Sequence, residues 1–258
     1  MCCRIAIPYS RFLIGPITWY SFLVITGIVL ALIIGMREEK RKALAHDTML
    51  DLSIVAIPCG VIGSRIYYVI MEWQQYATNP LSVFAIWEGG VAIYGAILGG
   101  ALGVFIFCRI KHISFAIAVD IIAPGLLLAQ AIGRWGNYFN MEAFGPVIED
   151  TRLQFFPFGV QIWENGETVW HMATFFYESL WNACGFLTIM LVRKKLHRDG
   201  YVFFLYMLIY GFGRFIIERL RMDSLWFGGI RVSQAVSFLF CMISLAVFLL
   251  PHIRKGRS

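Results

Sequence analysis

The chain has 258 residues, of which 59% are hydrophobic and only 15% charged, with a mean hydropathy of +0.70 and a formal net charge of +6. Soluble domains carry roughly 45–50% apolar and about 25% charged residues, so an ordinary soluble fold is excluded and an all-α polytopic membrane fold is expected. The positive excess reads as membrane topology rather than nucleic-acid binding, because it collects in turns between apolar segments.

A membrane-crossing helix needs about 20 mostly apolar residues. Seven segments qualify, at 16–36, 50–71, 91–108, 114–133, 174–192, 201–218 and 232–250. Their length argues for helices, since barrel strands are shorter and alternate. Residues 1–258 are read as one membrane domain. The first segment is longer than a signal-peptide core and has no small-residue cleavage site after it, so it is read as a permanent span. Trp19 and Tyr20 near its start fit an aromatic belt.

The turn after the first span holds Arg37, Lys40, Arg41 and Lys42. The second span carries Pro58 and Arg65, and Asp51 stands at its start. No Lys or Arg occurs in 73–90. The stretch Trp87-Glu88-Gly89-Gly90-Val91-Ala92-Ile93-Tyr94-Gly95 then leads into the glycine-dense third span. Small residues at this spacing permit close helix packing. Tyr94 between the glycines alternatively faces a cavity, since a buried tyrosine hydroxyl seeks a partner. Both readings stand. Arg109 and Lys111 follow, and the fourth span carries Asp120 and Pro124. Asp51 and Asp120 read as caps or bundle-interior partners.

The least hydrophobic stretch is about 134–173, opening Gly133-Arg134-Trp135-Gly136-Asn137-Tyr138-Phe139-Asn140-Met141-Glu142 and reaching Gly145. Guanidinium forks match phosphate oxygens, and Asn offers both donor and acceptor to hydroxyls. The alternative is a polar-capped turn. Tyr177-Glu178 opens the fifth span, and Arg193, Lys194, Lys195 and Arg198 follow it. In the sixth span Tyr210, Arg214, Glu218 and Arg221 recur on one helical face. Such a row inside a membrane helix lines a cavity more often than a lipid surface. The seventh span is followed by Arg254, Lys255 and Arg257.

Thirteen Lys and Arg fall on the side that receives the first basic turn and eight on the other, with Arg65 inside a span. The N-terminus is therefore expected outside and the C-terminus in the cytoplasm. Arg134, Arg214, Arg219 and Arg221 oppose this bias on the outer side. Each reads either as a snorkelled anchor or as a phosphate ligand, and four together favour the second. The cysteines at 2, 3, 59, 108, 184 and 241 form no C-x-x-C pair and read as small buried hydrophobes. The five histidines are scattered, and there is no G-x-S-x-G element or phosphate loop, so neither a metal nor a cofactor is expected.

Three stretches carry a resemblance. GRWGNYFNMEAFG at 133–145, WEGGVAIYGAILGG at 87–100 and YGFGRFIIERLRMDS at 210–224 followed by RVSQ resemble segments of the prolipoprotein diacylglyceryl transferase family. FFYES at 175–179 and the Trp19-Tyr20 pair match in the same order. The resemblance implies transfer of the diacylglyceryl group of phosphatidylglycerol to the lipobox cysteine of a prelipoprotein, forming a thioether and releasing glycerol phosphate. It implies a bacterial cytoplasmic (inner) membrane location, with membrane lipid around the chain and the active site toward the outer leaflet. By position, Arg134, Arg214, Tyr94, Glu142 and Tyr210 are expected to be catalytic. Arg134, Asn137, Asn140, Gly145, Tyr20, Glu178 and Glu218 are expected to bind substrate. Some relatives have His where this chain has Tyr94. His171 lacks the following proline of the family pattern and is offset by one, so no role is assigned to it. A transporter or channel for an anionic solute is the rival reading, since outward arginines also suit a vestibule. No internal repeat of the transporter kind is visible.

Overall fold

The fold is that of a computed structural model describing residues 10–77, 79–164, 166–222 and 226–255. Cys2, Cys3, Asp223, Ser224 and Arg257 lie outside the described residues, and of Glu88 only the backbone is described.

In chain order the elements are β1 (Phe12–Ile14), β2 (Ile17–Thr18), α1 (Trp19–Arg41), α2 (Thr48–Met71), α3 (Trp73–Tyr76), α4 (Ile93–Lys111) and α5 (Phe115–Asn140). They continue with β3 (Gly159–Glu164), β4 (Glu167–Met172), α6 (Thr174–Val192), α7 (Tyr201–Ile217), β5 (Trp226–Phe227), β6 (Ile230–Arg231) and α8 (Val232–Lys255). Seven of these helices are long and apolar enough to cross a membrane. Many of their apolar side chains face outward, among them Ile54, Ile70, Leu98 and Leu191. In water such a surface would be unstable, whereas hydrocarbon accepts it. The strands form three separate antiparallel hairpins, β1–β2, β3–β4 and β5–β6.

Two compact units share the chain, one of residues 1–33 and 122–258 and the other of residues 34–121. In the second, α2 and α4 pack closely. A side chain on Gly63 would come within 2.5 Å of Gly95 O and 2.8 Å of Gly99 Cα. The glycine density of 95–103 is thus explained by two helix backbones in contact. Lys42 pairs with the buried Asp120 at 3.3 Å, and Asp51 pairs with Lys111 at 2.9 Å. Both acids are partners of lysines rather than helix caps.

In the first unit, Ala123 and Leu127 of α5 pack with Ile189 of α6 and Val202, Tyr206 and Met207 of α7. Pro124 lies inside α5 and Pro58 inside α2, and both helices run on past them. Among the cysteines, Cys108 is buried and Cys59 and Cys241 are half-buried, but Cys184 is exposed on α6. The expectation of uniformly buried cysteines fails there, because a lipid-facing position tolerates a small apolar side chain without burial in protein.

Candidate functional site

The fourth span does not end at 133. Helix α5 continues through Gly133 and Gly136 to Asn140, so Arg134, Asn137 and Asn140 stand on a helix rather than in a loop. Gly and Asn have poor helix propensity, which tertiary contacts override. Here the contacts are explicit. Trp135 Nε1 donates to Ser179 Oγ at 3.1 Å, and Ser179 Oγ donates to Ala131 O at 2.8 Å, fastening α5 to α6. Trp19 stacks on Phe139 with ring centroids 4.9 Å apart. Tyr20, still 39% exposed, lies so close to Gly136 that an added Cβ would be 2.7 Å from its ring.

These fastenings bring one end of α5, α6 and α7 together around a carboxylate. Glu178, 4% exposed, faces Arg134 Nε at 2.8 Å through one oxygen and Arg214 Nη1 through the other. Arg214 Nη2 also meets Glu218 Oε2 at 2.8 Å, and Glu218 is 1% exposed. Arg231 Nη1 donates to Glu218 O, which ties β6 to the same cluster. Glu178 and Glu218 offset the charges of Arg134 and Arg214, which lowers the cost of burying them, and Arg231 adds one further positive charge. No hydrogen bond or ion pair engages the Nη groups of Arg134 among the described residues. Its fork is therefore available to an anion.

One turn before Arg214 on α7, Tyr210 stacks on Tyr206 at 5.9 Å. Tyr206 OH accepts from Gln130 Nε2 at 3.1 Å, so a polar strip continues from the cluster into the bundle. Arg221 does not remain on the helical face predicted for it. Helix α7 gives way to a 3-10 turn over Glu218–Leu220, and Arg221 follows in extended backbone. Arg219 is exposed and lies over the Phe215 ring at 5.7 Å.

A second polar group stands at the end of α5. Glu142 Oε1 accepts from Asn137 Nδ2 at 2.9 Å and from Asn140 Nδ2 at 3.1 Å. Asn140 Oδ1 accepts from Arg11 Nε at 3.1 Å. Arg11 was not singled out from the sequence, since an isolated Arg before an apolar span has no distinguishing pattern. Glu142 is presented between two residues in left-handed backbone, Met141 (φ 52) and Ala143 (φ 57). That conformation costs an L-residue roughly 1–2 kcal/mol, and surrounding bonds hold it. Thr174 Oγ1 donates to Ala143 O at 2.5 Å, and Gly145 N donates to Met172 O at 2.9 Å. His171, 1% exposed, donates from Nδ1 to Gly145 O at 2.8 Å. Gly145 is itself buried, and a Cβ on it would lie 2.9 Å from Leu220 O and from Met172 Cβ.

Tyr94 belongs to the other unit, in the first turn of α4, where its ring approaches Tyr67 at 6.5 Å. The residues expected to act thus form an arginine–glutamate cluster and an Asn–Glu group in one unit, with Tyr94 in the second. Anion binding by Arg134 and Arg214, hydroxyl recognition by Asn137 and Asn140, and proton acceptance by Glu142 are all within the chemistry of these groups.

A family model described as prolipoprotein diacylglyceryl transferase matches residues 10–250. A phosphatidylglycerol–prolipoprotein diacylglyceryl transferase of Limosilactobacillus reuteri (strain DSM 20016) is 43% identical over 244 residues, covering 92% of this chain and 88% of its own length. That of Streptococcus uberis is 43% identical over 247 residues, covering 94% and 95%. That of Enterococcus faecalis is 42% identical over 237 residues, covering 90% and 85%.

Proposed function

The chain belongs to the prolipoprotein diacylglyceryl transferase family, and from that premise we propose how its residues carry the reaction. It is a multi-pass membrane transferase of bacterial lipoprotein maturation, not a solute transporter. Its lipid substrate is phosphatidylglycerol and its acceptor is a prolipoprotein, whose lipobox cysteine supplies the nucleophile. The thiol sulfur attacks the glycerol carbon that bears the phosphate ester. The carbon–oxygen bond breaks, glycerol phosphate leaves, and a thioether joins the diacylglyceryl group to the cysteine. The thiol proton passes to a base.

One observation carries this reading: Glu178 holds Arg134 and Arg214 on the two oxygens of one carboxylate. The leaving phosphate gains negative charge as the bond breaks. Two guanidiniums already oriented, with the Arg134 fork open, stabilise that charge without reorganising. Asn137 and Asn140, anchored by Glu142, are suited to the headgroup hydroxyls. A free cysteine has a pKa of about 8.5, so attack requires proton removal. Glu142, the carboxylate bound by Asn137 and Asn140, and Tyr94 are the groups proposed to take or relay that proton. Glu218, in the turn that follows α7, holds Arg214 in position, Tyr210 stands one turn before Arg214 on α7, and Tyr20 borders the site at Gly136. Gly145 closes the segment that presents Glu142.

The Lys and Arg distribution supports placing this end of the bundle at the outer leaflet of the cytoplasmic membrane. The test is direct. Purified protein in native lipid is given phosphatidylglycerol and a lipobox peptide, and the product is analysed by mass. A peptide heavier by one diacylglyceryl group, absent when the peptide cysteine is replaced by serine, is the expected result. An unmodified peptide with folded protein contradicts the reading.

A further inference from the structure

An arginine inside a span either snorkels to water or turns into protein. Arg65 of α2 does the second and is 6% exposed. Its Nε donates to Val83 O at 2.8 Å. Its Nη1 donates to Gly89 O at 2.7 Å and Gly90 O at 2.9 Å. Its Nη2 donates to Ser82 O at 2.7 Å and Ala85 O at 3.3 Å. A guanidinium has five N–H donors in a fixed fork, and five carbonyls of one loop receive them. The Tyr76 ring stands 5.2 Å from Cζ.

The loop is shaped to this side chain. Gly89 (φ 89) and Gly90 (φ 71) adopt backbone that other residues avoid. A Cβ on Gly90 would lie 2.5 Å from Arg65 Nη1 and 2.8 Å from the Tyr68 ring. Just beyond, Ala92 N donates to Ser64 O at 3.2 Å, α4 begins at Ile93, and Tyr94 is its second residue. The last restraint set by Arg65 and its neighbour therefore falls at Ala92, two residues before Tyr94.

We infer that Arg65 is a positioning residue for the transfer reaction, fixing through the carbonyls of 82–90 where α4 starts and so where Tyr94 stands. The inference rests on the transferase reading and on the role of Tyr94 in it. Arg65 is not catalytic, because its donors are committed to backbone and none is left for substrate. Its effect falls on turnover rather than on lipid affinity, since Arg134 and Arg214 are held by other helices.

The test uses the full chain in native lipid. Arg65→Lys keeps the charge but replaces the fork with one nitrogen. Its kcat is expected to fall about 10–100-fold, the scale of an ångström-sized misplacement, with KM for phosphatidylglycerol unchanged. Amides of 82–92 should exchange hydrogen faster while those of the other unit do not change. Combined with Tyr94→Phe, the two losses should fail to multiply, because both act through one group. Gly90→Ala presses on the same guanidinium from the loop side and decides the matter if Arg65→Lys does not fold. Wild-type kcat in a variant whose loop exchange has risen overturns the inference and leaves the transfer reading intact. So do losses that multiply fully with Tyr94→Phe, or a fully active Tyr94→Phe. A folded wild type that transfers nothing overturns both.

Discussion

Arg134 of α5 and Arg214 of α7 meet on the single carboxylate of Glu178, one guanidinium to each oxygen. The carboxylate is almost fully buried, and the arginine side chains are only 20% and 13% exposed. Two like charges held on one buried carboxylate repel each other, the more so as burial lowers the local dielectric. Glu178 keeps them together. Removing one partner of a buried pair costs about 3–5 kcal/mol. Glu178→Ala is therefore expected to lower the thermal stability of the detergent-solubilised protein markedly and to abolish transfer. Glu178→Gln keeps the shape but loses the charge, and should be less destabilised while remaining impaired.

Arginines at this end of the bundle are not equivalent. Arg134→Lys leaves a charge but removes the fork, and turnover should fall about 100–1000-fold, as when one transition-state donor is lost. Arg219 is exposed against Phe215, and among the described residues its side chain makes no hydrogen bond or ion pair with the cluster. Arg219→Ala should retain transfer within about twofold, given that exposed substitutions seldom cost more than about 0.5 kcal/mol. Steady-state kinetics on the two variants separates them.

Glu142 orients Asn137 and Asn140 through a single oxygen. Glu142→Gln substitutes an amide for the carboxylate, weakening both bonds and removing a proton acceptor. Lost hydrogen bonds to a charged group are worth about 1.5–3 kcal/mol each, so kcat/KM for phosphatidylglycerol should drop by at least tenfold, roughly 1.4 kcal/mol. Circular dichroism should show an unchanged helix content, because Glu142 lies beyond the end of α5.

Gly145 is a packing position. Its missing Cβ makes room for Leu220 O, Met172 and Thr174. Gly145→Ala should cost about 1–3 kcal/mol by overpacking and move the Glu142 segment. Thr174→Val removes the hydroxyl that holds Ala143 O and should cost about 1 kcal/mol. Both effects are read from thermal unfolding followed beside activity.

The helical spans were legible because lipid demands long apolar runs, and such runs need no tertiary information to recognise. The cluster was legible in part. Arg214 and Glu218 sit at helical spacing, and Arg134 and Glu178 stand out against a basic-residue bias and an apolar background. Their meeting on one carboxylate was not legible, since it depends on three helices coming together. The helical state of 134–140 was hidden by its Gly and Asn content, which reads as a turn until Trp135, Ser179 and Trp19 are known to hold it. The left-handed Met141 and Ala143 carry no glycine to announce them. Arg65 offered only its presence in a span. Its five acceptors are backbone carbonyls, which every residue has, so no pattern of side chains could point to them.

In the proposed reaction the paired arginines hold the lipid phosphate as it leaves. The most direct measurement is the rate of diacylglyceryl transfer from phosphatidylglycerol to a lipobox peptide by wild-type protein and by Arg134→Ala, both shown to be folded in native lipid. Transfer by the wild type and a loss of about 100-fold or more in the variant are expected. A folded Arg134→Ala protein that transfers within a fewfold of the wild-type rate would contradict that role.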